Sequence, residues 1–96
     1  KLTLKQIVES KEVKDLSEQL FKRLDEAALT PDGKIKTYKI DESVLKINPM
    51  GGISLRFIIN DDEDIVLVTV LNLFSEEKGL EFGALSRSPE FNKLIG

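Results

Sequence analysis

The chain contains no cysteine, no histidine and no tryptophan. Without cysteine there are no disulfides and no thiol chemistry, and the redox compartment stays open. Without histidine as well, Ser–His–acid and Cys–His catalytic arrangements are excluded. So are metal sites built on imidazole or thiolate ligands. No apolar run approaches the ~20 residues of a membrane span. The longest, Ile65 to Leu71, is interrupted by Thr69 and suits a strand. A net charge of -3 gives no basic footprint, so nucleic acid is not an expected partner.

What is present is a folded-domain composition in 96 residues, read as a single domain over 1–96. Thr3-Leu4-Lys5-Gln6 fits a capping box, with Leu2 and Ile7 at staple spacing. Val13, Leu16, Leu20, Leu24, Ala27 and Ala28 then recur at helical steps, which predicts a long helix reaching Ala28. Ser10 marks a break after a short first turn. Charges of both signs on the outer face cancel, unlike the basic face of a membrane-surface helix. Thr30-Pro31-Asp32-Gly33 is a turn.

The densest apolar stretch is Gly52 to Phe74. Two β-branched runs flank Asp61-Asp62-Glu63-Asp64, which predicts an antiparallel hairpin with the acidic residues as its turn. Ile53, Leu55, Phe57 and Ile59 alternate onto one face, with Ile58 as an apolar exception on the other. The partner run is apolar on both faces, so a strand covered on both sides is expected. One cover is the helix; the other is the C-terminal segment or a second subunit. Ser88-Pro89 announces a final helix.

The expectation is therefore an α+β fold. A long N-terminal helix packs on an antiparallel meander of about four strands, followed by a short C-terminal helix. The strands are placed at 34–40 (with a continuation through 47 left open), 52–60, 64–74 and 80–85, and the last helix at 89–95.

Candidate chemistry is sparse. The acidic run could attract a hard cation, but it lacks the alternating ligands and the glycine of an EF-hand. A solvated turn is the simpler reading, with no metal and no cofactor. Asn48-Pro49-Met50-Gly51-Gly52 is the most distinctive loop. It lacks the Lys-Ser/Thr of a phosphate cradle and leads into a strand. If any loop contacts a ligand or partner, the choice is Asn48, Met50, Gly51 and Gly52, with Tyr38 and Arg56 as neighbours. No catalytic residue is assigned.

The segments Ala28-Leu29-Thr30, Gly33 to Asp41 and Asn48-Pro-Met-Gly-Gly-Ile53 resemble a known family. These are small, uncharacterised proteins of Gram-positive bacteria, catalogued as domain of unknown function 1310. The likeness extends more loosely to Ser88-Pro-Glu-Phe-Asn-Lys-Leu94. The resemblance implies a hydrophobic segment ahead of the domain, and an exported or membrane-anchored, outward-facing position. It implies no activity. The expected function is a non-enzymatic binding or interaction module for an unknown protein or small ligand. Membrane contact would come only through an upstream anchor, and a homodimer is an open arrangement. The alternative is a small-ligand binder or carboxylate-based enzyme.

Overall fold

The computed structural model describes residues 3–49, 52–75 and 79–96. Helix α1 spans Leu4–Val8 and α2 spans Lys11–Leu24. The strands are β1 (Tyr38–Ile40), β2 (Lys46–Ile47), β3 (Gly52–Ile59), β4 (Asp62–Ser75) and β5 (Gly79–Arg87), followed by α3 (Pro89–Ile95). All pairings are antiparallel, in the order β1-β3-β4-β5. Strand β2 lies on the same side of β3 as β1, beyond a 3-10 turn at Glu42–Val44. This is the expected α+β meander.

Local signals set the helix starts. Gln6 N–H donates to Thr3 Oγ1, and Thr3 N–H donates back to Gln6 Oε1, which completes the capping box. Ser10 caps α2 through its hydroxyl. Ser88 caps α3 and also joins it to β4: its Oγ accepts from Val66 N–H and donates to Asp64 C=O.

The sheet buries one face under all three helices. Ile53, Leu55, Phe57 and Ile59 are at most 1% exposed and share a core with Val8, Val13, Leu20, Phe21, Leu67, Leu71 and Phe91. Phe57 sits at its centre. Its ring meets Phe21 at 5.2 Å and Phe82 at 6.0 Å, both edge to face, and Tyr38 at 5.9 Å. The aromatic row thus crosses the sheet from β1 to β5.

Four expectations change. Helix α2 stops at Leu24, not Ala28. Asp25 is extended, and its carboxylate accepts from the N–H groups of Ala27, Lys34 and Ile35. Asp25 favours these non-helical donors over a helical backbone, and Ala28 is still buried without helical geometry.

Residues 34–37 are not a strand. Their N–H groups go to side chains instead: the Asp25 carboxylate accepts from Lys34 and Ile35, and Asn60 Oδ1 accepts from Lys36 and Thr37.

The hairpin turn is Asn60-Asp61, both left-handed at φ 56°, rather than the four acidic residues. Two left-handed residues match the twist of a two-residue hairpin. Strand β4 begins at Asp62, and the register slips between Ile58 and Ile59.

Finally, among the described residues the C-terminal segment is not the second cover of β4. Phe91 of α3 joins the same core as α2, so the C-terminal segment lies on the helical side. On the other face Val66 is buried but Val68 is 37% exposed.

Candidate functional site

The residues singled out from sequence do not form one cluster. Tyr38 lies on the helical face, 4.9 Å from the ring of Phe21. Its hydroxyl titrates above the usual tyrosine range, first through burial and then through the nearby carboxylates Glu18 and Asp15. Arg56 points to the opposite face, where its guanidinium meets Asp41 at 3.8 Å. Asp41 titrates below the ordinary aspartate value. The hydrogen bond from Ser43 is the main cause, and Arg56 and Lys39 add to it.

Asn48 and Gly52 face each other across the β2–β3 connection, with Asn48 N–H donating to Gly52 C=O at 2.6 Å. Gly52 is packed so closely that a Cβ there would fall 2.4 Å from Val70 Cγ1 and 3.0 Å from Leu71 O. Its glycine is therefore explained by sheet packing. Met50 and Gly51 lie outside the described residues.

The carboxylates offer one close pair. Glu42 lies beside Glu9, two carboxylates of like charge. Glu42 titrates above the ordinary value, first through desolvation, then through a side-chain hydrogen bond with Glu9 and the charge of Glu9; Lys5 opposes. Neither cavity described below contains this pair.

The sign of its effect on stability follows. A raised pKa stabilises the fold below the ordinary glutamate value of 4.5 and loses that contribution as pH rises through the folded value. Glu42→Gln is therefore expected to raise the Tm near about pH 7, with the gain fading near about pH 4. Thermal melts at the two pH values check this; an equal gain at both would reject the raised titration of Glu42.

Two concave regions stand out among the described residues. One lies at the hairpin turn, lined by Lys39, Asn60 and the acidic residues 61–64. Among the described residues no three Asp or Glu side chains converge as a metal site. Lys39 pairs with Asp61 at 3.8 Å, with both side chains largely in water, so this pair adds little stability.

The other is a groove of about 250 Å³ between α2 and β5. Helix α2 contributes Leu16, Gln19, Leu20 and Arg23, a stripe at steps of three and four residues. Strand β5 contributes Glu81, Phe82, Gly83 and Leu85. Phe82 forms the apolar floor, backed by Phe57. Leu85 shares the helical face with buried Thr69, its register partner, yet is 37% exposed. The register of β4 and β5 shifts between Thr69 and Leu71, opposite Gly83 and Ala84. Such bulges re-aim side chains at sheet edges.

The model of the family described as "Protein of unknown function (DUF1310)" matches residues 1–94. The chain belongs to the DUF1310 family. No curated protein and no solved structure matches it. In this DUF1310 chain no helix among the described residues is long and apolar enough to cross a membrane.

The groove is the feature of the DUF1310 fold that sequence reading missed. Two signals for it were present: the Leu16–Leu20–Arg23 stripe beside the buried face of α2, and a glycine inside a strand pattern at Gly83. Neither shows that α2 lies along β5.

Proposed function

We propose that this DUF1310 domain is a non-enzymatic binding module whose contact site is the groove between α2 and β5. The observation that carries the reading is Leu85, an apolar side chain left 37% exposed beside the apolar floor of the groove. Scattered exposed leucines are ordinary, but this one adjoins a concavity with polar groups at its rim. At about 250 Å³ the groove is below the usual volume of a site that encloses a small molecule. It suits a segment of a larger partner.

Outward display at the envelope of a Gram-positive bacterium belongs to the same proposal. It is supported by the resemblance, which implies a hydrophobic segment ahead of the domain.

The test is site-specific photo-crosslinking in cells producing the full-length protein. The photoreactive p-benzoylphenylalanine replaces Leu85 in the groove, or Lys22 on the exposed face of α2. A discrete adduct from position 85 and none from position 22 supports the groove. Adducts from neither, or equally from both, overturn it. Protease added to intact cells tests display: the domain should be cleaved without lysis, and full protection would reject an outward position.

A further inference from the structure

Among the described residues, β5 is the last strand in the sheet order and pairs only with β4. In an antiparallel ribbon, alternate residues direct N–H and C=O away from their partner. The outer side of β5 is therefore a template for another strand, running along Gly79–Arg87. Long open edges are usually blunted by Pro, Lys, inward charges or bulges, and β5 carries only the last of these, in its register shifts against β4. This edge has no Pro and no Lys within its bounds, and its only charged residues are Glu81 and Arg87.

The groove runs beside that same edge. Successive side chains of a strand alternate between faces. A strand added to β5 would continue the sheet beneath the flank of α2. Every second side chain would then enter the groove, towards Leu16, Phe82 and Leu85.

The rim supplies the polarity. Arg23 is exposed, lies on the helix wall and takes part in none of the three ion pairs of the described residues. Its planar fork of donors matches a carboxylate. Gln19, one turn earlier, adds an amide.

We propose that the groove binds an extended peptide by strand addition. The peptide pairs with the free edge of β5, seats an apolar side chain over Phe82 and Leu85, and sets an acidic side chain on Arg23. This rests on the reading of the groove as the contact site and names its partner class. Main-chain pairing supplies affinity in this mode, and the alternate side chains supply selectivity.

The probe is a random phage-displayed library of peptides of about twelve residues, enough to pair along a strand of usual length. It is selected against the intact domain. Enriched sequences are expected to alternate apolar residues with at least one Asp or Glu. On titration into ¹⁵N-labelled domain, they should shift the amides of residues 16–23 and 79–87. Arg23→Glu, at an exposed position, should keep the fold and weaken binding at least about ten-fold. Arg23→Gln should give an intermediate loss. Methylating alternate peptide nitrogens on the pairing side should abolish binding, because the inter-strand donors are gone.

The overturning results are distinct. Binding that survives N-methylation in both registers leaves the groove as a site but rejects strand addition. Enriched peptides that shift only the open face around Val68 reject the groove while leaving a binding module. No enrichment rejects both readings. Concentration-dependent shifts at residues 79–87 without peptide would make a second copy of the chain the occupant, and reject the peptide.

Discussion

Phe57→Ala should lower the stability of the domain by about 3–5 kcal/mol, the usual range for deleting a fully buried ring. Phe57 is 0% exposed and touches three other rings. Its loss removes transfer free energy and leaves a cavity that Phe21, Tyr38 and Phe82 cannot fill without leaving their edge-to-face contacts. Domains of this size typically hold about 5–15 kcal/mol in total, so the variant would be near the limit of folding. Urea titration should show a lower midpoint with an unchanged slope. Phe57→Leu should recover more than half of the loss. A loss below about 1 kcal/mol would mean that the site collapses freely and that Phe57 is not its keystone.

The second large effect is expected at Asn60. Its side chain accepts from Lys36 N–H at 2.8 Å and from Thr37 N–H at 3.2 Å, and its amide donates to Lys34 C=O at 2.9 Å. Its backbone is left-handed at φ 56°. Each bond contributes about 1 kcal/mol, and alanine in that conformation costs about 1 kcal/mol more. Asn60→Ala should therefore lose about 2–4 kcal/mol. Asn60→Gly separates the two causes, since glycine keeps the turn but loses the three bonds. Asn60→Asp keeps the acceptor and should be the mildest of the three. Hydrogen exchange gives an independent reading: the Lys36 and Thr37 amides should exchange faster in the alanine and glycine variants. A glycine variant as stable as the parent would assign the whole effect to turn geometry.

The same residues show what a sequence can and cannot disclose. The starts of all three helices were readable because Thr3 with Gln6, Ser10, and Ser88 with Pro89 act within three or four residues. The β3 face was readable because Ile53, Leu55, Phe57 and Ile59 alternate without error. The segment 34–37 was not, because its N–H groups are taken by side chains 9 to 24 positions away, at Asp25 and Asn60. The end of α2 was hidden because Ala27 and Ala28 keep helical spacing while the Asp25 carboxylate takes the Ala27 N–H and two donors, Lys34 and Ile35, from the segment beyond. Four acidic residues look like one loop in sequence; in the fold, one completes the turn and the next three enter the strand. The groove depends on which edge of the sheet α2 overhangs, a tertiary fact without a local pattern.

Tyr38 is the single tyrosine of a chain without tryptophan. It therefore dominates the near-ultraviolet absorbance and emission of the molecule. Its ring is held against Phe21 and Phe57, and Phe57 in turn meets Phe82 at the floor of the groove. The protein thus carries one built-in optical reporter, seated at the far end of the aromatic row from the groove. Unfolding will be visible without any label, and a ligand that displaces Phe82 should be detectable from the opposite edge of the sheet.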